Sequence, residues 1–181
     1  TSISAALGFA EAAKQQKLGH KAVALIGDGS LTGGLAFEGL NNAGAAKTDI
    51  LVILNDNNIS IDRNIGAIHE YLLNITTDPR YNKAKKHIWD KLGDGRCRKQ
   101  IQRLVGGTKS YLVRHSGGDL FEAMGFRYFG PIDGNDIEQV IRTLQKLKEL
   151  GGPLILHTLT TKGKGYAPAE ANQTVWHAPG I

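Results

Sequence analysis

Two short runs without a polar residue set the limits on what this chain can become. They are Val23-Ala24-Leu25-Ile26 and, about thirty residues on, Ile50-Leu51-Val52-Ile53-Leu54. Neither run alternates apolar with polar, so residues 22–26 and 50–54 each read as a strand buried on both faces, the pattern of a parallel sheet covered by helices. Between them, residues 34–44 carry Ala36, Phe37, Leu40 and Ala43 or Gly44 at helical spacing. Strand, helix, strand at this distance is a βαβ unit with a right-handed crossover. The fold class is therefore α/β, a parallel sheet with helices on both faces.

The remaining elements follow from the same periodicities. Residues 3–17 predict a helix ending near Gly19, and residues 65–76 a short helix before the break at Asp78-Pro79. Asp119-Leu120-Phe121-Glu122-Ala123-Met124 is a short helix closed by Gly125, and Phe126-Arg127-Tyr128-Phe129 a strand. The segment Gly130-Pro131-Ile132-Asp133-Gly134 reads as a loop. Asn135, with Glu138 three residues on, predicts a capped helix whose apolar stripe is Ile137, Val140, Ile141, Leu144 and Leu147. Gly151-Gly152-Pro153 stops it, residues 154–159 form another strand, and the tail from Thr160 is loop. No internal repeat is visible.

A chain of 181 residues with 41% hydrophobic content can hold one domain with a full core, not two ordinary ones. No apolar run reaches the length of a membrane span, so no membrane partner is expected. Cys97 is the only cysteine, which excludes an internal disulfide and favours a reducing cytoplasm. The chain starts at Thr1, inside what reads as an element, so it is expected to be part of a longer polypeptide. The net charge of +5 is uneven: 11 of the 22 Lys and Arg residues lie between Arg80 and Arg114, against only Asp90 and Asp94. That stretch lacks a nucleic-acid motif and interleaved aromatic residues. Residues 78–118 are accordingly expected to be a mobile, solvated basic insertion rather than a nucleic-acid contact.

Both apolar runs end in polar, glycine- or asparagine-rich sequence: Gly27-Asp28-Gly29-Ser30 after the first, Asn55-Asp56-Asn57-Asn58 after the second. Glycine-rich turns after buried strands present backbone N–H groups to phosphate. A carboxylate inside such a turn repels phosphate unless a cation lies between them. The dinucleotide-binding pattern fails at Thr32, and the P-loop pattern fails at Gly33-Gly34-Leu35. A hard cation fits: Mg²⁺ takes octahedral oxygen ligands and shares them with substrate phosphates. Asp28 carboxylate, Asn57 side-chain carbonyl and one backbone carbonyl leave room for two diphosphate oxygens and a water. Gly29 and Ser30 N–H groups then face the diphosphate. Loops after three strands, 27–34, 55–60 and 160–166, converge if the strands are neighbours.

Gly-Asp-Gly followed by Asn-Asp-Asn resembles the thiamine diphosphate motif. The chain as a whole is similar to the 1-deoxy-D-xylulose-5-phosphate synthase family of transketolase-like enzymes. The resemblance rests on residues 1–8, Gly27-Asp28-Gly29, Ala36-Phe37-Glu38, Leu51 to Asn57, Phe121-Glu122, Gly130 to Gly134, and Lys162-Gly163-Lys164-Gly165-Tyr166-Ala167-Pro168-Ala169-Glu170. It implies the diphosphate-binding domain of a thiamine diphosphate-binding fold, represented in part by residues 1–181. The pyrimidine-binding and C-terminal domains fall outside it. It further implies Mg²⁺ held by Asp28, Asn57 and the Ile59 carbonyl, and cofactor contacts from Gly29, Ser30, Asn57 and Tyr166. The family often has Ala where Ser30 stands and Met where Ile59 stands; backbone contacts tolerate both changes.

The implied reaction is decarboxylative condensation of pyruvate with glyceraldehyde 3-phosphate to 1-deoxy-D-xylulose 5-phosphate and carbon dioxide, feeding isoprenoid, thiamine and pyridoxal precursors. A cytoplasmic homodimer is implied as well. The glutamate that activates the cofactor belongs to another domain, so these residues are not expected to turn over alone. No residue here is a certain catalytic one. His177, in Trp176-His177-Ala178-Pro179, is a candidate lining residue against a reading as a structural tail histidine. Glu38 is a candidate support residue against plain helix-face solvation, and His157 reads as packed within its strand. The alternatives are another thiamine diphosphate enzyme, such as a transketolase or a 2-oxoacid dehydrogenase component, and a non-catalytic module.

Overall fold

The structure, a computed structural model, describes residues 1–57, 67–77 and 119–176. Strands β1 (Ala22–Gly27), β2 (Ile50–Asp56), β3 (Arg127–Asp133) and β4 (Leu154–Leu159) form one parallel sheet in the order β1-β2-β4-β3. The helices are α1 (Ser2–Gln15), α2 (Asp28–Leu31), α3 (Gly34–Ala46), α4 (Ala67–Thr77), α5 (Asp119–Ala123), α6 (Ile137–Leu147) and α7 (Ala167–Ala171). The basic segment 78–118, with Cys97, lies outside the described residues.

The units β1-α3-β2 and β3-α6-β4 traverse the sheet in opposite directions. Because each crossover is right-handed, their helices fall on opposite faces. Accordingly, Ala36, Leu40 and Ala43 of α3 pack with Ile3 and Ala6 of α1 against Ala24, Ile26, Val52, Leu54 and Ile155. On the other face, Val140, Leu144 and Leu147 of α6 pack against Phe129, Leu154 and Leu156. Full burial of each such aliphatic side chain contributes about 1.5–3 kcal/mol. The expected layers, helix on both faces of a parallel sheet, are present.

Close approaches seal the larger layer. Thr48 Oγ1 donates to Glu11 Oε1 at 2.5 Å, tying α1 to the approach to β2, and Lys21 pairs with Asp49 where β1 and β2 begin. At the far end of α3 a Cβ on Gly44 would fall 1.7 Å from the Met124 carbonyl oxygen. Only glycine lets α3 meet the turn after α5, and that turn closes on Gly125 at φ +88°. Phe121 of α5 stacks on Tyr128 of β3 with ring centroids 5.7 Å apart, and Tyr71 of α4 meets Phe121 edge-on at 6.1 Å. The Tyr71 hydroxyl accepts from the Leu120 N–H at 3.0 Å.

Several expectations need correction. β1 is buried on one face only: Val23 is 52% and Leu25 64% exposed, and nothing among the described residues covers them. An unbroken apolar run shows that both faces can be buried, not that both are. β3 does not end at Phe129; after a register irregularity it resumes with Ile132 opposite Thr158 and Asp133 opposite Leu159. The cap of α6 is Asp136, whose carboxylate accepts from the Gln139 N–H at 3.0 Å, not Asn135. Ile137 and Ile141 of the expected stripe are exposed, the first at 66%. The tail is not all loop, since α7 forms within it.

Two outcomes follow from this packing. Gly44→Ala should destabilise the domain by about 3 kcal/mol, the upper end of over-packing costs, because the obstacle is backbone rather than a side chain that can turn away. Chemical denaturation of wild type and variant measures it; an unchanged midpoint would show that α3 does not press on the α5 turn. Burial, then the nearby Asp119 and Glu122 carboxylates, pushes the Tyr71 hydroxyl up to about 12, against the lowering effect of the Leu120 N–H. An unfolded tyrosine titrates near 10. Tyr71 thus contributes stability fully below about pH 10, and loses it as pH rises toward 12. Phenolate absorbance in wild type and Tyr71→Phe isolates this group; a difference curve centred near 10 would refute the burial account.

Candidate functional site

β1 and β2 pair in register, with Gly27 opposite Asn55. Asp28 and Asn57 therefore leave the sheet from adjacent strands at its carboxyl edge. Asp28 is only 6% exposed and opens α2, with Gly27 as its cap residue. The glycine turn is thus a single helical turn rather than an open loop. Helix N-termini favour negative charge, and their first N–H groups lack intrahelical acceptors. Gly29 and Ser30 occupy the next two positions, half-buried and exposed respectively. Thr32 Oγ1 donates to the Gly29 carbonyl at 2.7 Å and closes the turn.

The end of β4 is stitched to the end of β2. Thr160 N–H donates to the Asp56 carbonyl at 2.9 Å, and its hydroxyl donates to Asn55 Oδ1 at 2.9 Å. The Thr158 hydroxyl donates to the Leu54 carbonyl at 3.1 Å. Across the next loop, Thr161 N–H donates to Asn135 Oδ1 at 2.7 Å. Residues 58–60 of the second expected loop lie outside the described residues, but the ends of β2 and β4 thus meet at the β2/β4 boundary, where the direction of the crossovers reverses. Open parallel sheets hold ligands there.

The Lys-Gly-Lys-Gly-Tyr stretch folds back on itself. Gly163 has φ +74°, and a Cβ there would come within 2.5 Å of the Ala169 Cβ. Gly165 N–H donates to Glu170 Oε1 at 2.6 Å, and Lys164 Nζ lies 3.9 Å from the same oxygen. Tyr166 precedes α7, is 52% exposed and meets Trp176 edge-on at 5.2 Å. The loop is closed by its own residues.

Beneath this edge lies a polar chain that the sequence did not single out. His157 Nε2 is 3.0 Å from Asp56 Oδ2, and its Nδ1 is 2.6 Å from the Tyr128 hydroxyl. His157 is packed within β4, as expected, but it is also bonded at both ring nitrogens. Its only sequence signals were a histidine inside an apolar strand and an aspartate at the buried phase of β2.

Of the other candidates, Glu38 is exposed on α3, which supports helix-face solvation. Ile59 and His177 lie outside the described residues. Among the described residues no three His, Cys, Asp or Glu side chains cluster into a self-sufficient metal site. A cation at Asp28 would therefore need oxygens from Asn57, the backbone and a ligand, the donor set of Mg²⁺ bound with phosphate. The buried carboxylate at the head of α2 fits that role. An apolar groove lined by Val23, Leu51, Ile141 and Leu144 begins at the opposite, amino end of the strands, beside Lys21 and Asp49, away from this chemistry.

Known proteins resemble this chain in sequence and in fold. Residues 1–160 match the family model described as 1-deoxy-D-xylulose-5-phosphate synthase. The chain is 47% identical over 185 residues to the 1-deoxy-D-xylulose-5-phosphate synthase of Cytophaga hutchinsonii, covering 99% of this chain and 29% of that protein. It is 50% identical over 187 residues to that of Phocaeicola vulgatus, with the same two shares, 99% and 29%. It thus spans under a third of these relatives' length. In fold it is similar to transketolase from Campylobacter jejuni, with a TM-score of 0.61 at 24% identity, covering 95% of this chain and 22% of that one. With a family model that matches residues 1–160 of its 181, the chain belongs to the 1-deoxy-D-xylulose-5-phosphate synthase family.

Proposed function

We propose that this chain is the diphosphate- and metal-binding part of a thiamine diphosphate-dependent transferase that condenses pyruvate with glyceraldehyde 3-phosphate, releasing carbon dioxide and 1-deoxy-D-xylulose 5-phosphate. The observation that carries the reading is the placement of buried Asp28 and of Asn57 at the ends of paired parallel strands, in a chain of this family. Asp28 and Asn57 hold Mg²⁺ through side-chain oxygens, with the Ile59 carbonyl as a third protein ligand. Gly29 and Ser30 offer N–H groups to the diphosphate, and Tyr166 stands at the rim. When bound, thiamine diphosphate supplies the electron sink for decarboxylation. The protein's share is to fix the cofactor's position before substrate arrives.

The rest of the same polypeptide supplies the pyrimidine-binding surface and the activating glutamate, in a homodimer. His177 is the further residue of this chain assigned to the lining of that site. No helix among the described residues is long and apolar enough to cross a membrane, which agrees with a cytoplasmic enzyme.

Calorimetric titration of thiamine diphosphate, with and without Mg²⁺, tests the core of this reading. Wild type should bind only when Mg²⁺ is present. Asp28→Ala and Asn57→Ala should each weaken binding at least about tenfold, or 1.4 kcal/mol. Equal affinity in all three proteins, or binding indifferent to Mg²⁺, would overturn it.

A further inference from the structure

The end of β2 is held from two directions. Its last residue, Asp56, is 1% exposed, and its carbonyl accepts from Thr160 N–H at 2.9 Å. Its carboxylate meets His157 Nε2 at 3.0 Å. A carboxylate only accepts, so Nε2 is the donor, and Nδ1 of a neutral ring then accepts from the Tyr128 hydroxyl at 2.6 Å. His157 is fully buried, and the Tyr128 ring is stacked on Phe121 with the planes 2° apart. The hydrogen-bonded residues come from β2, β4 and β3, with α5 packed behind them. Asp56, His157 and Tyr128 also lie on the same sheet face, because Leu54 pairs with His157, and Tyr128 with Ile155.

Buried polar residues are costly unless satisfied, and one apolar residue at each position would pack this face without them. Asp56, the last of these three hydrogen-bonded residues, immediately precedes Asn57. We infer that Asp56, His157 and Tyr128 form a positioning relay that fixes the direction in which β2 delivers Asn57 to the metal–diphosphate site. None of the three touches the cofactor; they act through Asn57, much as outer partners orient metal ligands elsewhere. This inference rests on the proposed role of Asn57.

The test uses the full-length protein that carries this domain. Thiamine diphosphate binding is followed by intrinsic fluorescence while Mg²⁺ is varied, and the thermal midpoint is recorded for each variant. Tyr128→Phe, which deletes one oxygen, should raise the half-saturating Mg²⁺ concentration about tenfold. Turnover at saturating Mg²⁺ and cofactor should stay near wild type. His157→Leu should shift Mg²⁺ dependence further, and His157→Gln, which keeps a donor toward Asp56, should recover most of the loss. An unchanged Mg²⁺ dependence in Tyr128→Phe, with Asp28→Ala strongly impaired, sinks the relay and leaves the metal site standing. A lower thermal midpoint in Tyr128→Phe without any Mg²⁺ shift assigns the chain to stability alone and also overturns the inference. If Asp28→Ala is itself unimpaired, the metal reading falls and the relay with it.

Discussion

The parallel register of β1 on β2 is the constraint on which the rest of this molecule depends. Pairing Gly27 with Asn55 brings two strand ends level, so that a carboxylate and an amide separated by 29 residues in sequence emerge at one edge. A slip of one residue would turn every side chain of a strand to the other face. A slipped β1 would withdraw Ala24 and Ile26 from the α1/α3 layer; a slipped β2 would withdraw Val52 and Leu54 and part Asp56 from His157. The hydrophobic pattern that builds the core and the polar pattern that builds the edge therefore specify the same register. Binding geometry here is a by-product of core packing, which is the most rigid support a loop can have.

The second support is the reversal of crossover direction between β2 and β4. It opens the carboxyl edge, and it brings the loop after β4 against the end of β2 through Thr158 and Thr160. The Lys-Gly-Lys-Gly-Tyr loop is then shaped internally by Glu170 and by the absence of a Cβ at Gly163. The carboxyl edge thus brings together the helical turn that opens at Asp28, the amide of Asn57 on the adjacent strand end, and a loop after β4 shaped by its own residues.

Much of this was legible in the sequence, for reasons that can be stated. Apolar runs without alternation marked β1 and β2, and Gly151-Gly152-Pro153 follows the end of α6, whereas α1 ends at Gln15 and turns at Lys17, before the expected Gly19. What escaped reading was non-local. The bare face of β1 depends on what packs above Val23 and Leu25, which the run itself cannot encode. β3 resumes after Gly130-Pro131 because Thr158 and Leu159 offer it a ladder, overriding two residues that signal a turn. Asn135 and Asp136 are equally good caps by type; the backbone directs Asp136 to Gln139 and Asn135 to Thr161. The Asp56–His157 contact joins residues 101 apart, beyond any local pattern. Ile59 and His177 lie outside the described residues.

The half-covered state of β1 gives the cation a second meaning. Among the described residues this strand is an edge of the sheet, held laterally by β2 and sheltered on one face by α1 and α3. Asp28 is the first residue beyond it. A divalent ion shared with Asn57 would rivet the least supported strand to the best supported one at the point where both leave the sheet. Ligand occupancy and the cohesion of that edge would then be two measures of one equilibrium, each rising with the other.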